Sequence, residues 1–390
     1  MNKNISNIVN NIQDSGLKKF FDLANEMEDV LSLGVGEPDF ETPRHIRDVA
    51  LCDIQAGKTK YTATQGTLAL RQSVADYLSD KFQLQYNPTN EVLITIGASE
   101  GIDLAIRTLV NCGDEVLVVE PCYVSYIPCV MLCGGIPISV ATKMENEFRV
   151  TPKDIEDVIT NKTKVILLSF PNNPTGAIME KVDLESVAKV IIKHNLFVIS
   201  DEIYGELTYG RNHVSIAELE GMRERTIVLG GFSKAFAMTG WRLGFATGPT
   251  DFIQAMHKIH QYSVMTADTV SQAAGVEALT SRERDKELAV MRDAYDERRN
   301  TMVEGFRKMG LECFEPLGAF YVFPCIKKTG MTSAEFCNEL LKSQKVAVIP
   351  GDAFGTCGEG YIRCSYAYSL ETITECLDRI EQFIMQISLC

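Results

Sequence analysis

The chain of 390 residues is long enough for two domains of about 150 residues or one larger one, and 45% apolar and 23% charged residues with a mean hydropathy near zero are those of an ordinary globular protein. Disulfide-stapled miniproteins and disordered or collagen-like chains are excluded. Lys and Arg number 38 against 52 Asp and Glu, a net charge of −14, so neither nucleic-acid backbones nor anionic membrane surfaces are expected partners; a local cationic pocket for a small anion remains open.

The N-terminal run MNKNISNIVNNIQDSG lacks the charged, apolar and small-residue succession of a secretory signal, so a cytoplasmic protein is expected. From about residue 65, helical and strand patterns alternate. Leu70, Val74, Leu78 and Phe82 recur at helical spacing, VLITI (92–96) reads as a buried strand, and Ile102, Ala105, Ile106 and Leu109 return to helical spacing. The charge-free window 121–142 could span a bilayer by length. Pro121, Pro128, Pro137 and the Gly134-Gly135 pair divide it into short elements instead. The rhythm continues through EVLVVE (115–120), KVILLSF (164–170), a helix carrying Leu184, Val187, Ala188, Ile191 and Ile192, LFVIS (196–200) and TIVLGG (226–231). Continuous apolar strands between amphipathic helices predict an α/β domain with a mostly parallel sheet covered on both faces.

Beyond about residue 285 come a long polar helix, the strand AFYVF, a helix from Ser333, the strand YIRCSYA and a C-terminal amphipathic helix, which together predict a smaller α+β domain. The expected division is 1–45 as an N-terminal arm and part of the small domain, 46–285 as the large domain, and 286–390 as the small C-terminal domain. The twelve cysteines contain no C-x-x-C, so zinc ribbons and thioredoxin motifs are unavailable and free thiols are expected.

In open parallel sheets, ligands bind at the carboxyl ends of strands. There this chain places Gly97-Ala98-Ser99-Glu100 opening a helix, Pro171-Asn172-Asn173-Pro174-Thr175-Gly176, Asp201-Glu202-Ile203-Tyr204, and Phe232-Ser233-Lys234. A lysine desolvated at such a rim has a lowered pKa and condenses with carbonyls. A buried carboxylate suits a protonated heterocyclic nitrogen; Asn and Tyr can bond a phenolate oxygen; a helix N-terminus and Arg242 suit a phosphate. The cofactor combining these features is pyridoxal 5′-phosphate. Singly each residue has a plainer role, as a solvated lysine, a capping acid or a turn; their joint placement at strand ends carries the reading.

Other patterns are set aside. Gly57-Lys58-Thr59 resembles the end of a phosphate-binding loop, but Cys52 stands where its first glycine belongs. His257 and His260 could share a helix face, yet no ligand cluster completes a metal site, and surface or dimer-interface positions are expected for them. The sign-alternating run 281–299 reads as a solvated helix, and Trp241 as packing for its own loop.

The strings SLGVGEPDFETP, PNNPTG, SDEIY, SKAFAMTGWRLG and YIRCSYA resemble the successive motifs of the class I aminotransferases of fold type I, the aspartate aminotransferase superfamily, in the expected order from about residue 30 to 368. The resemblance implies that Lys234 forms the internal aldimine with pyridoxal phosphate and then moves the substrate α-proton. It further implies that Asp201 pairs with the ring nitrogen and that Asn173 and Tyr204 bond the ring oxygen. Tyr123 would stack on the ring, and Ala98, Ser99 and Arg242 would cradle the phosphate. Arg363, assisted by the Gly36 backbone N–H, would bind the substrate α-carboxylate, and Asn173 would also contact the substrate. Tyr61 resembles a tyrosine that reaches the neighbouring subunit's phosphate, implying a homodimer with shared active sites.

Two departures stand out. Many members carry a phosphate-binding serine where this chain has Gly231, which leaves that role lost or moved to Ser233. Some aspartate-preferring members carry a lysine in place of Ser99. The expected activity is transfer of the amino group of an L-amino acid to a 2-oxo acid, with 2-oxoglutarate as acceptor, through a ping-pong cycle. The segments around Gly16, Leu17 and Phe20 and around 262–269 are expected to shape a pocket for large neutral or aromatic side chains. A carbon–sulfur β-lyase on the same scaffold is the alternative; a non-catalytic sensor fused to a DNA-binding domain is disfavoured by the charge and the lack of a basic helix-turn-helix.

Overall fold

The computed structural model describes residues 4–12, 27 and 29–388. Its strands, in chain order, are β1 (Leu31–Ser32), β2 (Val92–Thr95), β3 (Glu115–Glu120), β4 (Ile136–Ala141), β5 (Thr163–Ser169), β6 (Phe197–Asp201), β7 (Thr226–Gly231), β8 (Gly244–Thr247), β9 (Tyr321–Val322), β10 (Val346–Ala347), β11 (Ile349–Pro350) and β12 (Ile362–Ser365). The central sheet has the order β2-β8-β7-β6-β5-β3-β4. Strands β3 to β7 are mutually parallel, and β8 runs antiparallel to both its neighbours, β2 and β7. Four consecutive buried residues in β2 and five in β3 and β5 show why these runs read as continuous apolar stretches: both faces are covered by helices.

Two strands of this sheet escape a periodicity reading. Edge strand β4 has one buried residue among its six and carries Pro137, whose missing N–H is tolerated at an edge. Strand β8 is four residues long and follows directly on the loop that carries Arg242. The helices follow local signals more closely. Thr67 caps Leu68–Phe82 by accepting from Leu70 N–H, and a Glu180/Asp183 capping box opens Lys181–Lys193. The charged run expected to be a solvated helix is half right: Arg284–Lys308 buries Leu288, Met291, Tyr295, Arg299, Met302, Val303 and Phe306 along one face.

The remaining strands form β11-β12-β9, antiparallel, and a short parallel pair joining β1 to β10. One apolar cluster runs from Leu117 and Leu168 of the central sheet to Phe320, Tyr321, Phe336, Ile362 and Ile373 of the C-terminal elements. This apolar continuity between the two layers is why no linker marks a boundary in the chain; the division at 45 and 285 stands as a proposal. No described helix is long and apolar enough to cross a membrane, and the window 121–142 holds the helix Tyr126–Leu132 and β4. The described cysteines are free thiols.

Candidate active site

The carboxyl ends of β5, β6 and β7 meet the N-terminus of the helix Gly97–Leu109. Gly97 turns the chain with φ +68°, and a Cβ there would lie 2.6 Å from the Arg242 guanidinium, so the bare glycine lets that cation sit against the helix start. The first N–H groups of the helix have no carbonyl partner within it and face the same space. Behind the turn, Glu100 accepts from Ile96 N–H at 2.6 Å and bonds His260 Nδ1 at 2.7 Å. His260 is fully buried, not at a surface or an interface, because this carboxylate draws it under the helix. Its neighbour His257 bonds Thr64. Arg242 itself has φ +51° and donates one bond to Thr239 O at 2.9 Å.

Asp201, the last residue of β6, is buried, and burial raises its pKa above the ordinary carboxylate value; bonds from Tyr126 O–H at 2.7 Å and Ile203 N–H at 3.2 Å act in the opposite direction. Lys234 follows β7. Its Nζ donates to Gly36 O at 2.6 Å and lies over the rings of Tyr204 and Phe320 at 5.8 and 5.6 Å. Burial first, and then the positive charge of Arg363, lower its pKa to about 8.

Arg363 on β12 faces these groups from the C-terminal layer. It is 4% exposed, lies between the rings of Tyr321 and Phe354 at 4.5 and 4.7 Å, and donates to Asn173 Oδ1 at 2.8 Å and Gly34 O at 2.6 Å. Its Nε is buried without a partner, an unmet donor of the kind a carboxylate satisfies. Since Asn173 Oδ1 is engaged, its amide nitrogen is the group left to donate elsewhere. Tyr204 and Tyr321 bond hydroxyl to hydroxyl at 2.8 Å.

A cavity of about 390 Å³ gathers Gly36, Ala98, Ser99, Tyr123, Asn173, Asp201, Tyr204, Ser233, Lys234, Arg242 and Arg363 on its wall. Tyr61, expected at a cofactor phosphate, is 82% exposed and does not line this wall. Gly16, Leu17 and Phe20 lie outside the described residues. The segment 262–269 does not line the cavity either; Tyr262 is 89% exposed and Thr266 bonds Thr62 at 2.7 Å, so within one chain this segment braces the Tyr61 loop. Trp241 donates to Thr42 and packs its loop.

Wall residues that the sequence did not single out include Glu37, Tyr126, Thr239 and Tyr321. Tyr126 stands three residues after Tyr123 and opens the helix Tyr126–Leu132, and its nearness to Tyr123 in the chain was a usable signal. Tyr321 belongs to a strand of another sheet, and no local pattern points from it to the rim.

The aminotransferase class I and II family model matches residues 28–380. The chain is 50% identical to "Putative aminotransferase YugH" of Bacillus subtilis, covering 98% of this chain and 99% of that one. It is 43% identical to an aspartate aminotransferase of Pyrococcus abyssi, covering 96% and 97%. The solved aromatic aminotransferase from Pyrococcus horikoshii OT3 superposes with a TM-score of 0.91 at 41% identity, covering 96% of this chain and all of that one. A mostly parallel sheet between helices, an acid, an amide and a lysine at its strand ends, and full-length similarity of this degree have one common account: the chain belongs to the class I and II aminotransferases, with the fold type I architecture.

Proposed function

We propose that this aminotransferase holds pyridoxal 5′-phosphate in the strand-end cavity and moves the amino group of an L-amino acid to 2-oxoglutarate. The observation that carries the reading is a half-buried lysine of lowered pKa sharing one cavity with a buried carboxylate whose direct hydrogen bonds come from a phenol and a backbone N–H. The walls fit the cofactor group by group. The helix start at Gly97, Ala98 and Ser99, with Ser233 and Arg242, suits the phosphate. Asp201 suits the ring N–H, the Asn173 amide and Tyr204 hydroxyl suit the ring oxygen, and Tyr123 suits a ring face.

When bound, the cofactor supplies an aldehyde that condenses with amines and a protonated ring that accepts the electron pair left behind by the substrate α-proton. The chain's own groups do the rest. Arg363 takes the α-carboxylate with its unpaired Nε and orients the α-carbon toward Lys234. Lys234 Nζ, with a pKa near 8, has a usable neutral fraction at neutral pH and takes and returns that proton. Asp201 stays ionised beside a positive ring nitrogen because ion pairing offsets its burial. Donor and acceptor bring the same carboxylate to the same arginine in turn, which is the requirement of a ping-pong cycle.

Lys234, Arg242 and Arg363 are the cations on the described wall, and each has a role in this reading. Val35, Ile102 and Tyr321 supply apolar surface, which supports a large neutral or aromatic donor. The second carboxylate of 2-oxoglutarate is assigned to the open mouth, where a second copy would contribute. The loop carrying Tyr61 and the last turn of the helix Thr250–Ser263, which carries Tyr262, present these two tyrosines to solvent on either side of the Thr62–Thr266 bond; a homodimer covers them, with Tyr61 assigned to the partner's phosphate. Free thiols accord with a cytoplasmic site of action.

The test is the visible spectrum of the purified protein with pyridoxal phosphate, taken after L-amino acids added singly and then 2-oxoglutarate. A band that bleaches with one amino acid and returns with the oxo acid supports transamination and names the donor. Transient bleaching with ammonia release overturns it in favour of elimination, and the absence of any band removes the cofactor assignment.

A further inference from the structure

Tyr321 is 1% exposed, and its hydroxyl meets two things at once. It bonds the Tyr204 hydroxyl at 2.8 Å, and it presses on Gly36 so closely that a Cβ there would lie 2.1 Å away. Its ring carries the Arg363 guanidinium at 4.5 Å. Antiparallel pairing of β9 with β12, with Tyr321 opposite Ser365, sets the two residues side by side. Two assigned positions of the site, the carboxylate-binding arginine and the phenol facing the ring oxygen, are therefore joined by one side chain that has no assigned role.

We propose that Tyr321 is a positioning residue that couples carboxylate occupancy at Arg363 to the strength of the Tyr204 hydrogen bond; this rests on the reading of the cavity as a pyridoxal phosphate site. Each phenol has one proton. A guanidinium over the Tyr321 ring face draws electron density from it and makes its O–H the stronger donor of the pair. Tyr321 then donates to Tyr204, and the Tyr204 proton is directed into the cavity. Bonds in such a chain strengthen one another at low dielectric. A carboxylate on Arg363 neutralises the cation, weakens the Tyr321 donor, and so weakens Tyr204 toward the ring oxygen. The charged and titratable groups facing this pair are Arg363, Asp201 and Lys234 around Tyr204, and Arg363, Tyr123 and Tyr368 around Tyr321.

The experiment is a pH titration of the visible band of the cofactor-loaded protein, for wild type, Tyr321→Phe, Tyr204→Phe and the double variant, with and without 3-phenylpropionate, a carboxylate that has no amine to react. A ring oxygen that has lost its donor holds the neighbouring proton more firmly, so midpoints rise. Tyr204→Phe is expected to raise the midpoint most, Tyr321→Phe by about half a unit, and the double variant no further than Tyr204→Phe alone. The carboxylate should raise the wild-type midpoint and shift Tyr321→Phe by much less. A Tyr321→Phe midpoint equal to wild type, or additive effects, overturns the coupling. If Tyr321→Phe does not load, the carboxylate-induced shift in Tyr204→Phe decides: a loss supports the coupling and an undiminished shift overturns it. A wild-type protein that forms no coloured complex refutes the cofactor reading instead.

Discussion

The Tyr126 hydroxyl donates to Asp201 Oδ2 across 2.7 Å in the floor of the cavity, and both groups are buried. The bond runs from the first residue of the helix Tyr126–Leu132 to the end of β6 and holds the carboxylate still where a ring nitrogen would meet it. A hydrogen bond to a charged group contributes about 1.5–3 kcal/mol. Tyr126→Phe is therefore expected to weaken pyridoxal phosphate binding by about tenfold or more while the melting curve followed by circular dichroism stays two-state. Equilibrium dialysis against the cofactor measures it; wild-type affinity would show that the bond does not serve Asp201.

Lys234 titrates near 8, against an ordinary value of 10.5, because burial and Arg363 disfavour its charged form. Only the neutral amine attacks an aldehyde. The rate at which cofactor-free protein captures pyridoxal phosphate should climb with pH about a midpoint near 8 and level off above it, read by stopped-flow absorbance. Since the folded pKa lies below the unfolded one, the cofactor-free protein should also gain stability as pH rises from about 8 toward the unfolded value. Lys234→Ala should lower turnover by about a hundredfold or more, the scale of a lost general base.

Arg363 pairs a planar fork with Asn173 and Gly34 and leaves its Nε without a partner, the donor proposed above for the substrate carboxylate. Arg363→Lys preserves charge and loses the fork. The expected outcome is an amino-acid KM raised by about tenfold or more, with cofactor affinity near wild type. Steady-state kinetics and dialysis on one preparation separate the two effects.

Tyr61 is exposed in the single chain and is assigned to a neighbouring chain's phosphate. Tyr61→Ala should weaken pyridoxal phosphate much more than pyridoxal, which lacks the phosphate, and light scattering of the wild type should give twice the 43.3 kDa chain mass. Equal weakening of both ligands, or a monomer, rejects the assignment.

Much of the central sheet was readable from periodicity alone. Strands β3, β5 and β6 are covered on both faces, so hydrophobicity within each run reports burial directly. Where burial is partial the signal fades, as at the edge strand β4, and where charge hides an apolar face it misleads, as in Arg284–Lys308. Asp201 stood out because it ends such a strand, and Asn173 and Lys234 because they stand in the loops that follow β5 and β7, positions that chain order reveals.

By itself, then, the sequence determined which residues end the strands and which helix starts behind a glycine, since both depend on neighbours a few residues away. Only the tertiary structure decided what each of them faces. Asp201 meets Tyr126 across 75 residues, Tyr204 meets Tyr321 across 117, Glu100 meets His260 across 160, and Asn173 meets Arg363 across 190. Periodicity records that a side chain is turned inward; the packing of one layer on another chooses its partner. That choice made Tyr321 part of the site and took His260 out of solvent.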